Sequence, residues 1–272
     1  FTPDAAWDII WDRFTTSAGT TIGDYQSLLA RSSSYLGELG IRVNSPSRLA
    51  DFALQLADNS LIGNVLTSAR DHSLDVPGLP LDFGRVNYLS VSGRYRSGPL
   101  GFGWAHNWEV SSIVDTLGNV VMEVGGQVRS FTLQPNGSFA SQQGDAGVLT
   151  RVDGALQLRE VQGTVLSFRA DGKLGSVQDA NGNRITVAYD IAEDRVLSLT
   201  HTSGASLAFS YDNSNGRLIQ VTDSTGRSTV YFYDSSGEHL VSVTTDQGTM
   251  EYEYVPSDNA ATRHALASTT EW

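Results

Sequence analysis

The side chains with the greatest potential for chemistry lie in a short stretch rich in glycine and tryptophan. Its notable members are Gly101, Gly103, Trp104, His106, Asn107 and Trp108. The imidazole of His106 could act as a base or a metal ligand, but no second histidine stands at metal-ligand spacing. The alternative, which we favour, is structural: the glycines shape a tight loop, the tryptophans pack, and His106 and Asn107 hold the loop through hydrogen bonds.

Other catalytic and binding patterns are weak. The chain has no cysteine, which excludes thiolate nucleophiles, disulfides and zinc-thiolate sites. It has no G-x-S-x-G elbow, and Gly98–Gly103 lacks the G-K-[ST] ending of a phosphate loop. The spacing of Asp179, Asn181 and Asn183 suggests calcium, but Arg184 stands where the loop glycine belongs. We therefore predict a chain that is not an enzyme, with no catalytic residues, metal site or cofactor.

The composition of the chain excludes some classes of binding partner. Hydrophobic residues make up 40% of the 272 residues, enough for a sizeable core. The net charge of −12 argues against binding to nucleic acid, and no apolar run is long enough for membrane insertion. The chain starts without Met and stops in a repetitive segment. We expect it to be a piece of a longer polypeptide.

The elements that must position these residues fall into two kinds. Near the N-terminus, apolar stripes with helical periodicity predict three short amphipathic helices. Thr2 is the expected N-cap of the first helix, and Ser45-Pro46 should begin the third. We expect the stripe of Trp7 and Trp11 to pack in the protein core, with binding of a ligand or a partner helix as the alternative. After the Pro- and Gly-containing stretch 75–80, the period falls to two. The predicted strands are Leu81–Tyr88, Trp108–Asp115, Val120–Val124, Val128–Leu133, Ala155–Leu158 and Val165–Arg169, with turns between them such as Gly125-Gly126.

The last hundred residues repeat. A Tyr-Asp pair recurs every 22 residues, at Tyr189-Asp190, Tyr211-Asp212 and Tyr233-Asp234. Each unit predicts two strands and two turns, with an earlier degenerate unit at Phe168. Because side chains alternate along a strand, the repeat tyrosines should lie on one face, where their rings can stack in a column. Each aspartate should stabilise a turn with its own side chain, and each glycine should supply positive φ.

These repeat units resemble the YD repeats of Rhs proteins, of insecticidal toxin-complex shells and of teneurins. The segment 98–108 is similar to the G-x-L-G-x-G-W-x-x-N-[WY] block that precedes the repeats in many bacterial Rhs-type proteins. The resemblance covers roughly residues 75–255. It implies a mainly β fold, an antiparallel β-ribbon or meander of YD repeats that forms a shell, here preceded by a small α-helical segment. We divide the chain into residues 1–72 (helical), 73–145 (entry β region) and 146–272 (YD-repeat ribbon).

The resemblance implies a non-catalytic shell segment of a secreted or surface-displayed bacterial protein. Its partners would be the rest of its own polypeptide, meaning further YD repeats and a C-terminal toxin or effector. Two alternatives stay open. The chain could be an adhesive or filament-forming module that assembles through strand edges, or, more weakly, it could bind carbohydrate through exposed Tyr and Trp.

Overall fold

The structure is a computed structural model that describes residues 2–60, 65–124, 127–142, 144–190, 195–256 and 258–271. The helices are α1 (Asp4–Ala18), α2 (Ile22–Glu38), α3 (Pro46–Asp58) and α4 (Val91–Arg94). The first strands are β1 (Val65–Leu74), β2 (Leu81–Tyr88), β3 (Ser97–Gly98), β4 (Gly101–Phe102), β5 (Trp104–His106), β6 (Ser111–Val114), β7 (Val120–Val124), β8 (Gln127–Leu133) and β9 (Phe139–Ser141). They are followed by β10 (Val148–Val152), β11 (Ala155–Arg159), β12 (Val165–Phe168), β13 (Leu174–Gln178), β14 (Arg184–Tyr189), β15 (Val196–His201), β16 (Ser206–Tyr211), β17 (Leu218–Asp223), β18 (Ser228–Tyr233), β19 (Leu240–Thr245), β20 (Gly248–Tyr254) and β21 (Leu266–Glu271).

The predicted mainly β fold with a helical N-terminus is confirmed. Within the described residues, the strands β10 to β21 form a twelve-stranded sheet in strict sequence order, the antiparallel meander that the turn spacing predicts. A second meander contains β6 to β9, and a smaller sheet has the order β1-β2-β5. The predicted strands are all present, with ends shifted by up to three residues. The predicted turn at Gly125-Gly126 lies outside the described residues.

The chain forms two compact units. One contains Phe1–Ser68, Val86–Trp104 and Tyr252–Thr269, and the other contains Ala69–Arg85, Ala105–Glu251 and Thr270–Trp272. We call them the helical unit and the ribbon unit. The three N-terminal helices end at Asp58, and a strand that the sequence analysis did not predict begins at Val65. The domain boundaries at 72 and 145 remain predictions.

Helix α1 of the helical unit uses a different face from the predicted one. Its buried residues include Ala6 and Ile10, while Trp7 and Trp11 are 45% and 49% exposed, so the prediction that these tryptophans pack in the core is wrong. Small residues explain the difference: Ala6 packs in one cluster with Ala57 of α3, and two alanines let the backbones approach more closely than two indoles would.

The helix starts also differ in detail. The predicted N-cap Thr2 is wrong by one residue, because the first helix begins at Asp4 and Pro3 takes the N-cap position. Ser45 followed by Pro46 begins α3 as predicted. Helix α2 begins with a capping box between Thr21 and Asp24, in which each side chain accepts a hydrogen bond from the other residue's backbone N–H.

Three hairpins of the ribbon unit correspond to the sequence repeat. The first repeat is β14 with β15, the second is β16 with β17, and the third is β18 with β19. In each, the register shifts at the repeat tyrosine, immediately before Tyr189, Tyr211 and Tyr233. The same shift before Phe168 confirms the degenerate earlier unit. A bulge at a fixed place in every unit gives all hairpins the same local geometry.

Candidate functional site

We call the segment 98–108 the entry block. Its glycines shape a tight loop in the helical unit. Gly101 and Gly103 have φ of 88° and 77°, values in the left-handed region that glycine adopts without strain. The carbonyl oxygen of Gly103 accepts hydrogen bonds from Asn87 Nδ2 at 3.1 Å and from the Tyr88 amide at 2.9 Å. These bonds agree with the structural interpretation of the two glycines.

Trp104, in the same unit, is buried, with 1% of its surface exposed. Its Nε1 donates to the hydroxyl of Tyr254 at 2.8 Å, and its ring meets that of Tyr252 edge-on, with centroids 4.8 Å apart. A buried indole needs such an acceptor. Trp104 therefore packs with both tyrosines at the end of β20.

Asn107 and Trp108 attach the following segment to β2 within the ribbon unit. Asn107 exchanges bonds with Gly84: its Oδ1 accepts from the Gly84 amide, and its own amide donates to the Gly84 carbonyl, both at 3.0 Å. The carbonyl of Asp82 accepts from Trp108 Nε1 at 2.7 Å and from Asn107 Nδ2 at 3.3 Å. The asparagine amide acts here as an additional backbone-like partner for the strand.

His106 is held neutral in an apolar environment. Its ring is buried and lies 5.1 Å from the ring of Phe83, and burial lowers the pKa of His106 to about 3. The Nδ1 atom accepts a hydrogen bond from the Trp108 amide at 3.2 Å, and the Glu109 carboxylate lies 3.6 Å from Nε2. An imidazole that takes up a proton only in acid is a weak base at neutral pH and makes no ion pair with Glu109 there. Among the described residues, His106 belongs to no group of three metal-ligating side chains.

The repeat tyrosines make one contact in common. Each hydroxyl donates to the backbone carbonyl of the residue 15 positions earlier: Tyr189 to Leu174 at 3.0 Å, Tyr211 to Val196 at 2.8 Å and Tyr233 to Leu218 at 2.7 Å. The acceptor lies on the strand before the tyrosine's own strand, whereas the tyrosine backbone pairs with the strand after it. Each tyrosine thus connects three consecutive strands.

The faces of two of these rings lie against cations. The Arg195 guanidinium lies 4.5 Å from the centroid of Tyr211, and Arg169 and Lys173 lie 5.2 and 5.1 Å from that of Tyr189. Such cation–π contacts stabilise a half-buried aromatic ring. The stacked column of rings stays a prediction.

The repeat aspartates accept hydrogen bonds in the turns. Asp212 Oδ1 accepts from the Ser214 amide at 2.7 Å, and Asp234 Oδ1 accepts from the Glu238 amide at 2.9 Å. Burial raises the pKa of Asp234, but bonds from His239, Ser236 and backbone amides outweigh this effect and lower it to about 2. The amide of Asp190 donates to Arg195 O at 2.8 Å, and the intervening residues 191–194 lie outside the described residues.

A buried polar cluster in the ribbon unit was missed by the sequence analysis. Its members are Asp71, Arg85, Thr229 and Tyr231. Arg85 Nε donates to both carboxylate oxygens of Asp71, at 3.1 and 2.9 Å, and both side chains are almost fully buried. The Tyr231 hydroxyl donates to Asp71 Oδ2 at 2.8 Å. Burial and the Asp71 charge raise the pKa of Tyr231, so its proton stays in place as a donor.

A second buried carboxylate, that of Asp223 at the end of β17, lies beside His72, the residue that follows Asp71 in β1. Asp223 Oδ2 is 3.7 Å from His72 Nδ1 and accepts from Arg227 Nε at 2.8 Å. Its Oδ1 accepts from the Thr225 hydroxyl at 2.6 Å. Burial raises the pKa of Asp223, but bonds from Thr225 and Arg227 outweigh it and lower the pKa to about 2. A carboxylate so strongly held in its ionised form is suited to fixing a turn, and it is a poor proton donor.

A signal for the polar cluster does exist in the repeat. Stepping by 22 residues from Ile185 leads to Leu207 and then to Thr229, and stepping from Val187 leads to Phe209 and then to Tyr231. All six side chains are on the buried face of their strands. A change from apolar to hydroxyl-bearing residues at both positions of the third repeat indicates a polar partner, although the partner itself cannot be read from the columns.

Family models match two parts of the chain. Residues 59–131 match "Domain of unknown function (DUF6531)" and residues 211–250 match "RHS Repeat". The first segment contains the whole entry block, and the second contains Tyr211 and Tyr233. Among curated proteins, none matches the chain.

The chain is similar to parts of several solved structures. The N-terminal domain of effector protein SpvB from Salmonella typhimurium strain LT2 has 12% identity and a TM-score of 0.42, over 77% of this chain and 99% of that one. The Photorhabdus luminescens Tc holotoxin pore has 15% identity and a TM-score of 0.31, over 69% of this chain and 11% of that one. The TcdB2-TccC3-Cdc42 structure has 17% identity and a TM-score of 0.32, over 55% of this chain. The match spans 9% of the length of that structure's chain.

Proposed function

From the premise that this chain belongs to the Rhs/YD-repeat family, we propose that it is a non-catalytic segment of a β-shell that encloses a C-terminal toxin or effector. The observation that carries the proposal is the recurring tyrosine bond, which ties each hairpin to the strand before it at Tyr189, Tyr211 and Tyr233. Such a bond suits a repetitive wall in which every unit depends on its neighbour.

The polar groups of the ribbon unit support a non-catalytic role. The Asp71 carboxylate is engaged by Arg85 and Tyr231, and that of Asp223 by Thr225 and Arg227. His106 stays neutral until the pH falls to about 3. A general acid or base needs a pKa near the working pH, and the pKa values of Asp223 and His106, about 2 and about 3, lie well below neutral pH.

The parent protein is, in this proposal, secreted or displayed on a bacterial surface, and its shell contacts the remainder of its own polypeptide. Within the described residues, no helix is long and apolar enough to cross a membrane. The net charge of −12 disfavours nucleic acid as a partner.

The test is negative-stain microscopy of the complete gene product, with limited proteolysis in parallel. A shell gives closed, hollow particles in which any enclosed segment is protected from protease. The Tyr233→Ala variant, which lacks one tyrosine bond, should lose that protection, while the exposed-site variant Tyr25→Ala should retain it. Solid or extended particles with an equally accessible interior would overturn the proposal, as would hydrolase activity abolished by His106→Gln.

A second candidate function is filament formation through a strand edge. Among the described residues, strand β10 pairs in its sheet with β11 alone, and Val148 and Val152 at its two ends are 57% and 43% exposed. An apolar edge strand pairs readily with another chain. Fibres that disappear when Val148 and Val152 are both replaced by Lys would favour this candidate over the shell.

Carbohydrate binding is a third, weaker candidate. The exposed rings of Trp7 and Trp11 stack with their centroids 6.0 Å apart, a surface on which a sugar ring can lie. A glycan array without binding would exclude it.

A further inference from the structure

A cavity of about 850 Å³ lies entirely within the helical unit. Its walls come from α1, α2, α3, the start of β1, the end of β2, α4 and the stretch 261–266. This volume lies within the range of about 300–1,000 Å³ that is usual for small-molecule sites. None of the residues discussed above as part of the entry block or the repeats lines it.

Two arginines supply the charge of this cavity. Arg94 is only 7% exposed, and Arg13 is half-buried. Burial, and after it the positive charge of Arg13, lowers the pKa of Arg94. Both arginines line this cavity, and their like charges disfavour each other in a partly desolvated space.

The bonds that these arginines make leave donors available. Arg94 donates from Nη2 to the Ala261 carbonyl at 3.0 Å and from Nε to that of Ser90 at 3.4 Å. Arg13 donates from Nη1 to the Ala57 carbonyl at 3.1 Å. A guanidinium has five N–H donors, so three of Arg94 and four of Arg13 have no protein acceptor within the described part of the chain.

No carboxylate pairs with either arginine in the part of the chain that the structure describes. The nearby carboxylate of Asp58 accepts from the Ser92 amide and hydroxyl, both at 2.8 Å. Buried cations are normally paired, since leaving a charge desolvated and alone is costly. An anion in the cavity would accept hydrogen bonds from the remaining N–H donors of the two guanidinium groups.

The remaining lining defines the rest of the ligand. Much of the wall is aliphatic, from Leu28, Ala53, Leu56, Ala57, Leu66, Leu89, Ala265 and Leu266. Asp12 also lines the cavity, and its negative charge favours a singly charged ligand over a doubly charged phosphate. The planar fork of a guanidinium matches the two oxygens of a carboxylate.

We propose that this cavity binds an organic carboxylate with an aliphatic body, such as a medium-chain fatty acid, with its carboxylate between Arg13 and Arg94. The aliphatic chain lies against the leucines, away from the two guanidinium groups. This site is separate from the shell-forming role and does not depend on it.

The experiment is calorimetric titration of the full chain with octanoate, octanol and inorganic phosphate. Octanoate should bind saturably at one site, and both octanol and phosphate should bind at least tenfold more weakly. Arg13→Gln should weaken octanoate binding about tenfold to a hundredfold, the usual worth of a charge-assisted hydrogen-bonded pair. Arg31→Gln, at an exposed arginine of α2, is the matched control and should leave binding unchanged.

Arg94→Gln should weaken octanoate binding at least as much as Arg13→Gln, but it also removes the hydrogen bond from Arg94 to the Ala261 carbonyl and so changes the stability of the unit as well. Methyl NMR of the wild-type chain therefore provides an independent measurement: octanoate should shift the resonances of Leu56, Leu89 and Leu266. Equal binding of octanol, unsaturable binding, an unchanged affinity in Arg13→Gln, or shifts elsewhere in the chain would each overturn the proposal.

Discussion

The second and third repeats have the same backbone and bury different chemistry. Both carry the register shift before the tyrosine and the hydroxyl bond to the preceding strand. At the two buried positions before that tyrosine, however, the second repeat has Leu207 and Phe209, and the third has Thr229 and Tyr231. Phe209 lies against Phe83 with centroids 5.3 Å apart. Tyr231 meets the same ring edge-on at 6.3 Å, and its hydroxyl also donates to Asp71.

This difference separates two kinds of information in the repeat. The glycines, the turn aspartates and the repeat tyrosine determine the hairpin, and they are present in both units. The side chains on the buried face adapt to whatever packs on them, which is apolar beside Phe83 and charged beside Asp71 and Arg85. Substitutions in the hairpin framework and substitutions on the buried face should therefore have different effects on stability.

Removing the carboxylate of the polar cluster should have the largest effect. Asp71→Ala takes away the partner of Arg85 and the acceptor of Tyr231, and we expect a loss of about 3–5 kcal/mol in the free energy of unfolding, as for other broken buried ion pairs. Urea denaturation measures it, with the exposed Asp75→Ala as control. A loss no larger than that of the control would contradict a desolvated cluster.

The shared feature of the repeats should come next. Tyr233→Ala removes a half-buried ring and its bond to Leu218, and should cost about 2–4 kcal/mol. Tyr233→Phe, which loses only the hydroxyl, should cost about 1 kcal/mol. If thermal denaturation shows widely different losses of stability for Tyr211→Ala and Tyr233→Ala, the two repeats are not equivalent. A loss near zero in Tyr233→Ala would show that the repeat tyrosine does not stabilise the hairpins.

The apolar surroundings of the second repeat should make folding stability depend on pH through His106, whose ring lies 6.3 Å from that of Phe209. Its folded pKa of about 3 is below the unfolded value near 6.5. Between these two values the unfolded chain binds a proton that the folded chain does not, so stability falls as the pH falls. The expected slope is about 1.4 kcal/mol per pH unit, or about 2 kcal/mol between pH 6.5 and 5.

Denaturation of wild type and His106→Gln at both pH values isolates this contribution. The variant keeps an acceptor for the Trp108 amide but cannot be protonated. If its stability changed with pH as steeply as that of the wild type, His106 would not be the neutral, buried group described above.

Making the third repeat resemble the second should have a smaller effect than either alanine substitution above. Tyr231→Phe creates the residue found at position 209 and removes one hydrogen bond to a charged acceptor, which should cost about 1.5 kcal/mol. Combined with Asp71→Ala and Arg85→Met, the same change should recover most of the loss caused by Asp71→Ala alone, because an apolar replacement of a buried ion pair is often neutral. A triple variant as unstable as Asp71→Ala would show that the buried face is less adaptable than the two repeats suggest.

The sequence predicts the parts of the fold that local rules determine. Alternation predicts β2 and β7 at their observed bounds, and the 22-residue spacing predicts all three hairpins. Local rules are less informative where packing partners are distant in sequence. Helix α1 buries its Ala6 face because Ala57 packs in the same cluster. The stripe of Trp7 and Trp11 therefore predicts the wrong buried face.

The candidate site divides in the same way. The glycines of the entry block and the turn aspartates follow from backbone geometry, and their local bonds could be anticipated. The partners of Trp104, Arg85 and Tyr231 lie 150, 14 and 160 residues away, beyond any pattern of spacing. From the sequence alone Arg85 would be predicted to lie on the surface, because nothing in the spacing indicates its partner Asp71.

The tyrosine bond has a further consequence for how such a chain can lengthen over evolution. Its acceptor is a backbone carbonyl, provided by Leu174, Val196 or Leu218 alike, so no particular side chain has to be waiting in the neighbouring unit. A tandem duplication of 22 residues therefore brings its own donor and finds an acceptor already present at the junction. Copies can be added or lost in whole units without a compensating mutation, and their buried faces can then diverge, as Phe209 and Tyr231 have.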